Sequence, residues 1–218
     1  TKQARYMSPS VQEYILQAND DRLGVKAFET IALREAWEGA EHPSGFTLRP
    51  IPTDTSLGID PFAQSDVSII DVHAYDGIHP EMQQRMYALC KAMANGERPN
   101  YVIKYSTKQE KLPADKVLEG KLRLFKVHSK TIVWLKKAVM WHLQAQTIAA
   151  WTRTGFCAGF NMHGVEADVM YEALKTQNAD GVFVSDFSGF ETSARTQTND
   201  LMYTYMEAKC VSPTLVVD

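Results

Sequence analysis

Apolar residues recur at helical spacing over most of this chain. Runs with this period predict helices at about 11–19, 25–38, 80–95 and 130–151, and two more that begin near Val165 and Leu201. The acidic turn Asn19-Asp20-Asp21 is expected to end the first helix. The helix at 130–151 is apolar around much of its circumference, which predicts that it lies in the interior. The pattern therefore indicates a predominantly helical fold.

Shorter apolar runs predict strands. They are Val67–Val72, Tyr101–Tyr105, Gly120–His128 and Val182–Val184. Because side chains alternate along a strand, Lys121 and Arg123 are expected on one face of the third run and Leu122 and Leu124 on the other. Two cations on one stiff face form a surface that binds anions. The alternative is an edge strand that positive charge protects from unwanted pairing.

The stretch Gly181–Ala194 reads as a strand, an acidic turn and the approach to a helix. Its apolar run delivers Asp186 to the end of the strand, and Glu191 follows across a turn that contains Ser188 and Gly189. Carboxylates at the end of a strand suit a hard cation such as Mg²⁺, which often shares its oxygen ligands with substrate phosphates. Solvated turn residues are the alternative interpretation, and this stretch alone leaves it open.

Residues 41–64 have the composition of a loop, rich in Pro, Gly, Ser and Thr. They also contain Phe46, Leu48, Ile51 and Phe62, which are too apolar for a flexible connector. We therefore expect an ordered loop that packs against the body of the protein.

Charge is distributed unevenly along the 218 residues. The whole chain has 23 basic and 26 acidic side chains, a formal charge of −3, which argues against a general coat protein for nucleic acid. The segment Lys104–Lys137 alone holds ten basic and three acidic residues, so it carries +7 and the remainder carries −10. A charge run is most often a solvated face, but one this uneven in an acidic protein indicates a phosphate-bearing partner.

Cysteine content and hydropathy bear on the cellular setting. Cys90, Cys157 and Cys210 are too few and too scattered for a disulfide framework or a zinc site, so a reducing compartment is expected. No apolar run approaches the length of a membrane span, and the first ten residues lack the apolar segment of a signal peptide. Residues 214–217 read as the beginning of another element, so we expect a piece of a longer protein.

Two patches in the first two thirds of the chain resemble viral RNA-dependent RNA polymerases of the positive-strand, picornavirus-like supergroup. DTSLGIDPF, at Asp54–Phe62, resembles the Thr-Ser-x-Gly-x-Pro loop of the fingers, with Asp60 inserted before Pro61. KQEKL, which begins at Lys108, and KVLEGKLRL, which begins at Lys116, resemble the basic finger motif, usually lettered F. The spacing within this second patch makes it the most specific of the matches.

Two later patches follow in the order of the same family. GFNMHG, at Gly159–Gly164, resembles the loop before the palm. VFVSDFSGFETSA resembles motif A, with Asp186 at the position of the invariant aspartate and Glu191 where the family usually has Asp. The Gly-Asp-Asp turn of motif C, the Ser/Thr-Gly loop of motif B and a thumb do not follow in this sequence.

The resemblance implies a role for each matched residue. Asp186 is expected to be catalytic and to hold a divalent metal, Mg²⁺ with Mn²⁺ as the other possibility, and Glu191 is expected to sense the ribose 2′-hydroxyl of the incoming nucleotide. Nucleoside triphosphate is expected to be bound by the basic motif, through Lys108, Lys116, Lys121 and Arg123. Template and product RNA and the rest of the polymerase are the other expected partners.

The implied fold is α+β: the fingers subdomain of a right-hand polymerase at 1–178, with motif F at 104–128, and the first strand and helix of the palm at 179–218. The expected function is template-directed RNA synthesis from NTPs, in the host cytoplasm at viral replication complexes, with this chain alone inactive. A non-catalytic RNA- or nucleotide-binding module and one half of a split polymerase are the alternatives.

Overall fold

A computed structural model describes residues 8–52, 54–60, 62–63, 67–154, 161–176, 185 and 196–212. The helices are α1 Pro9–Leu23, α2 Leu33–Glu38, α3 Ile69–Ala74, α4 Pro80–Ala94, α5 Ala114–Leu118, α6 Lys130–Ala149, α7 Trp151–Thr154, α8 Val165–Thr176 and α9 Thr196–Lys209. The strands are β1 Phe28–Glu29, β2 Ala40–Glu41, β3 Thr47–Leu48, β4 Lys104–Thr107, β5 Leu124–Val127 and β6 Cys210–Ser212. Helices dominate these residues, as the apolar pattern predicts. The predicted strand Val182–Val184, Cys157 and residues 214–217 lie outside the described residues.

The strands pair in three separate two-stranded sheets. β1 and β6 are parallel, whereas β2 with β3 and β4 with β5 are antiparallel hairpins. By its internal contacts the described chain divides into two compact units, one formed by residues 30–141 and the other by residues 8–29 and 142–212. The division falls within α6, whose first part belongs to the former unit.

The unit at 30–141 has a core of aromatic and long apolar side chains around the first part of α6. Trp134 of α6 is 1% exposed, its indole N–H donates to the Leu33 carbonyl over 2.6 Å, and its ring meets Trp37 edge to face at 5.1 Å. Helix α4 buries Met82, Met86 and Leu89 almost completely, as their spacing predicts. A buried indole needs close packing and an acceptor for its N–H. Trp134 has both, so it can anchor the first part of α6 in the interior.

In the unit of residues 8–29 and 142–212, polar contacts join the first helix, α1, to the last one, α9. The Asp20 carboxylate of α1 accepts from Lys209 Nζ over 2.5 Å and from the Tyr205 hydroxyl over 3.2 Å. Burial, followed by the charge of Asp20, raises the pKa of Tyr205 to about 12. The pair Asp20-Asp21 lies inside α1, which ends at Leu23. The helix predicted to end at about residue 19 therefore extends four residues further.

Two segments form elements of a different type from the ones predicted. The helix predicted at 25–38 is instead β1, an irregular stretch and the short helix α2, because Phe28 pairs with Cys210 and the Glu35 side chain caps a new helix start at Ala32. The strand predicted at Val67–Val72 is instead the approach to α3 and its first residues. There Ser68 and Asp71 form a reciprocal capping box. A capping box favours the start of a helix, and here it outweighs the strand preference of the apolar residues that follow.

Other predictions agree with the described elements. The predicted helices correspond to α1, α4, α6 with α7, α8 and α9. Met93 continues the helical spacing of Met82, Met86 and Leu89, but it is 51% exposed and lies outside the core. The loop at 41–64 is ordered over its described residues and packs as expected: Leu48 and Ile51 are buried, and Phe46 lies against Trp141 with ring centroids 5.4 Å apart. This loop also contacts the beginning of α6, through Lys130 Nζ and the Pro52 carbonyl.

Candidate nucleotide-binding hairpin

The basic segment folds as an antiparallel hairpin that we name the basic hairpin, residues 104–127. Strands β4 and β5 pair in register from Lys104 opposite Val127 to Thr107 opposite Leu124. Helix α5 lies in the connection between the two strands. Every lysine and arginine in the basic hairpin is exposed. The hairpin therefore presents its cations to solvent instead of using them to fill the core.

The strand predicted over Gly120–His128 is wrong at its start, because β5 begins only at Leu124. Gly120 has φ 68°, a left-handed conformation that ends α5, and the Lys121 N–H returns to the Lys116 carbonyl over 2.9 Å. Lys121 and Arg123 therefore lie in the turn before the strand, and the argument that they share a strand face does not hold. The first strand is also shifted, from the predicted Tyr101–Tyr105 to Lys104–Thr107.

A different arrangement brings Lys108 and Arg123 together. The Lys108 N–H donates to the Arg123 carbonyl over 2.8 Å, which extends the ladder of the hairpin by one bond. Their side chains then meet at one carboxylate, because Lys108 Nζ and Arg123 Nη1 each lie 3.4 Å from Glu110 Oε2. The two cations are 52% and 68% exposed, whereas the Glu110 side chain is 19% exposed. Two exposed cations thus flank a single, more buried acid.

Glu110 is poorly satisfied for a buried carboxylate. Its Oε1 atom is buried and has no hydrogen-bond partner within the described part of the chain. Among the described residues, its Oε2 atom has the two ion pairs at 3.4 Å, and the Arg123 pair is also a long hydrogen bond. Exposed ion pairs at such distances contribute little to stability, about 0–1 kcal/mol. The cations are therefore available to a stronger anion than Glu110, such as a phosphate group, because the ion pairs that it would replace are weak.

The other two predicted cations lie apart from this pair. Lys121 forms its own ion pair with Glu119, Nζ to Oε2 2.7 Å, and both side chains are more than half exposed. Lys116 lies on α5 and is exposed. The structure thus brings Lys108 and Arg123 together around Glu110 and leaves Lys116 and Lys121 nearby in the chain, at the end of α5. Asp186 and Glu191 lie outside the described residues.

The base of the hairpin is held by an aromatic pair. The Tyr101 ring stacks on His128 with centroids 5.5 Å apart, and the Tyr101 hydroxyl is hydrogen-bonded to His128 Nδ1. Burial, and then the charge of Lys136, lower the pKa of His128. The neutral imidazole is therefore favoured, which suits a ring that shares a hydrogen bond with a phenol.

Sequence reasoning missed a buried polar segment directly after this base. Ser129, Lys130 and Thr131 begin α6 and are 0%, 4% and 1% exposed. Lys130 Nζ donates to the Pro52 carbonyl over 2.5 Å and to Thr55 Oγ1 over 2.8 Å. A lysine in the first turn of a helix is unfavourable, because its charge opposes the helix dipole. This position is the feature of the sequence that could have indicated specific partners for Lys130.

No cluster of three or more His, Cys, Asp or Glu side chains that could hold a metal ion occurs among the described residues. The expected ligand, Asp186, lies outside them. The structure also contains no helix long and apolar enough to cross a membrane, within the residues it describes.

Comparison with known proteins gives a family and a fold. The family model described as viral RNA-dependent RNA polymerase matches residues 39–217. Among solved structures, the RNA-dependent RNA polymerase 3Dpol of Sicinivirus is similar with a TM-score of 0.72 at 17% sequence identity. That similarity covers 96% of this chain and 42% of the Sicinivirus chain, so this chain spans less than half the length of that polymerase.

No curated protein gives a significant match. The family match nevertheless extends over most of the chain, and the similar solved structure has a picornavirus-like polymerase fold. All four sequence patches lie within the matched residues 39–217. The chain belongs to the viral RNA-dependent RNA polymerase family.

Proposed function

We propose that this chain forms the fingers, residues 1–178, and the first part of the palm, residues 179–218, of a polymerase that copies RNA from NTPs. The observation that carries the proposal is the basic hairpin. Its exposed cations are concentrated in a chain that is otherwise acidic, and two of them converge on one carboxylate. A triphosphate has several acceptor oxygens and a high negative charge, so it is a natural ligand for such a surface.

In this proposal the basic hairpin holds the triphosphate of the incoming nucleotide. Arg123 and Lys108 leave Glu110 and donate to phosphate oxygens, while Lys116 and Lys121 add positive charge. In a channel partly shielded from water, each charge-assisted hydrogen bond should contribute about 1.5–3 kcal/mol to the binding free energy. The hairpin thus binds and orients the nucleotide.

Asp186 and Glu191 complete the proposed site from motif A. We assign Asp186 to catalysis and to a divalent ion, Mg²⁺ or Mn²⁺, and Glu191 to the ribose 2′-hydroxyl. When bound, the metal pair of a polymerase activates the primer hydroxyl and neutralises pyrophosphate. One motif A carboxylate is too few for two cations, so the remaining ligands belong to the rest of the polymerase. The proposed location is the host cytoplasm, at viral replication complexes.

The direct test of the hairpin uses Arg123→Ala and Lys121→Ala in the complete polymerase. Single-nucleotide incorporation should show a lower kcat/KM for NTP, by about tenfold to a hundredfold for Arg123, from the loss of one charge-assisted contact. The matched control is Arg34→Ala, since Arg34 is also an exposed arginine paired with a glutamate, Glu38, at 2.9 Å. Unchanged kinetics in both hairpin variants refute the assignment.

A second test concerns the 218-residue chain by itself. It should bind NTP or RNA weakly, with an affinity that falls steeply with salt, and it should not extend a primer. Primer extension with labelled NTP and Mg²⁺ or Mn²⁺ on the wild type and Asp186→Asn decides between the possibilities. Synthesis by this chain that Asp186→Asn abolishes contradicts the proposal that further palm acids are needed. Activity that returns when a fragment with the missing motifs is added favours a split polymerase over a non-catalytic module.

A further inference from the structure

Asp60 is the centre of a hydrogen-bond cluster that ties the loop at 54–62 to the beginning of α6. Asp60 Oδ2 accepts from the Ser129 hydroxyl over 3.2 Å and from the Thr131 hydroxyl, while Asp60 Oδ1 accepts from the Phe62 N–H over 2.9 Å. Ser129 and Thr131 are fully buried. A buried hydroxyl without a partner costs about 1–3 kcal/mol, so the Asp60 carboxylate satisfies two groups that the fold has removed from water.

Pro52, Thr55, Leu57 and Gly58 also contact residues 128–130. The Lys130 N–H donates to the Leu57 carbonyl over 2.8 Å, and the Lys130 ammonium reaches Pro52 and Thr55. Gly58, at φ 75°, approaches the backbone so closely that a Cβ there would lie 2.5 Å from the His128 carbonyl oxygen. His128, Ser129 and the first two residues of α6 are therefore all in contact with residues 52–60 of the loop.

This segment is continuous with the basic hairpin. β5 ends at Val127, His128 stacks on Tyr101, and Ser129 begins the buried segment. A displacement of residues 129–131 would therefore move the strand that precedes them. The carboxylate also lies at the N-terminus of α6, where a negative charge is favourable to the helix dipole. Asp60 is thus placed to fix the base of the hairpin without contacting its cations.

We propose that Asp60 is a positioning residue for nucleotide binding, because it locks the loop at 54–62 onto residues 129–131 and so holds the basic hairpin in its binding position. Asp60 is also the residue at which the loop departs from the Thr-Ser-x-Gly-x-Pro pattern, where it stands as an insertion before Pro61. The inference rests on the proposed function of the hairpin. It adds that the inserted residue, Asp60, holds the hairpin in place for nucleotide binding.

The experiment compares Asp60→Ala with Asp71→Ala in the complete polymerase. Asp71 is a matched control, because it caps α3 by the same kind of contact: its carboxylate accepts from the Ser68 hydroxyl over 2.5 Å and from the Ser68 N–H over 3.0 Å. Asp60→Ala should raise the KM for NTP by about fivefold to tenfold, from the loss of its hydroxyl hydrogen bonds, with kcat within about twofold of wild type. Asp71→Ala should change neither.

Two further readouts separate positioning from general loss of stability. A variant that merely unfolds in part lowers the active fraction and hence kcat, whereas a displaced hairpin raises KM. Thr131→Val removes one donor to Asp60 at nearly constant volume, so the double variant Asp60→Ala/Thr131→Val should show no more KM increase than Asp60→Ala alone. In the 218-residue chain, hydrogen exchange of amides at 104–127 should quicken in Asp60→Ala and not in Asp71→Ala.

The outcomes distinguish the two proposals. If Arg123→Ala and Lys121→Ala both leave the kinetics of NTP use unchanged, the function proposed for the hairpin is wrong, and the exchange measurement still decides whether Asp60 holds the hairpin. If Arg123→Ala raises KM but Asp60→Ala does not, the inference about Asp60 is overturned alone. Equal effects of Asp60→Ala and Asp71→Ala, or additive effects of Asp60→Ala and Thr131→Val, also overturn it.

Discussion

Replacing Lys130 by methionine tests how strongly this side chain holds Pro52 and Thr55 against the beginning of α6. The change keeps most of the aliphatic side chain and removes the ammonium, which is 4% exposed with the rest of the residue. Methionine has no N–H donor, so the Pro52 carbonyl and the Thr55 hydroxyl lose their contacts at 2.5 and 2.8 Å. The variant therefore deletes one cation and two charge-assisted hydrogen bonds with little loss of packing.

The expected cost follows from opposing contributions. Two hydrogen bonds from a charged donor contribute about 1.5–3 kcal/mol each. Against this, burial of the ammonium is unfavourable, and it is the main reason that the pKa of Lys130 is lowered. Thr55 is exposed, so its hydroxyl can turn to water in the variant. We expect a net loss of about 2 kcal/mol, which for a chain of this size lowers Tm by about 4–8 °C.

The assay is thermal and urea unfolding of the 218-residue chain, with Lys136→Met as the matched control. Lys136 is an exposed lysine on the same helix, so its replacement should leave the free energy of unfolding within about 0.5 kcal/mol of wild type. If Lys130→Met is as stable as Lys136→Met, or more stable than wild type, the burial cost exceeds the hydrogen bonds and the reasoning is refuted.

Two further predictions concern pH and substrate choice. Burial, and then the charge of Lys130, lower the pKa of His73 below its ordinary 6.5, although a hydrogen bond to the Pro52 backbone opposes them. The unfolded chain then binds more protons than the folded one just below pH 6.5, so stability should fall as pH drops through this range, and less steeply in His73→Phe, which retains a ring against Trp37. Urea unfolding from pH 7 to 5 measures both slopes, and equal slopes contradict the assignment. For Glu191→Ala, the preference for NTP over dNTP should shrink more than NTP use slows, because a site that binds a hydroxyl rejects analogues without it. Single-turnover kinetics with both substrates test this, and equal slowing makes Glu191 a structural residue.

The sequence predicts those elements whose signal is long and local. Helices α4 and α6 extend over several turns with a sustained apolar pattern, so their type could be read directly. The segment at 67–72 is too short for that, and the segment at 25–38, although nearly as long as α4, owes part of its structure to a distant strand. Phe28 enters a strand only because Cys210 pairs with it, and this contact lies far away in the sequence. Ser68 and Asp71 carry a local capping signal that the apolar run concealed.

For the candidate site, residue type was predictable but arrangement was not. The excess of cations between 104 and 137 marks the hairpin, and Gly120 was available as a sign that the strand starts late. The convergence of Lys108 and Arg123 on Glu110 depends on which residues face each other across the hairpin. The contact of Asp60 with Ser129 joins residues 69 positions apart, which no local pattern encodes. Periodicity reports on neighbours in the sequence, whereas these contacts depend on the tertiary fold.

The parallel pairing of β1 with β6 affects the order in which the protein can fold during synthesis. The described residues of the unit at 30–141 are continuous in sequence, so the contacts among them can form soon after residue 141 leaves the ribosome. The strand at Phe28–Glu29 must wait for Cys210–Ser212, and Asp20 must wait for Lys209. The residues around Asp20 and Phe28 are therefore made more than 180 residues before these partners. During translation they remain a nascent segment with an unpaired strand, which makes this stretch the natural target of chaperones and proteases.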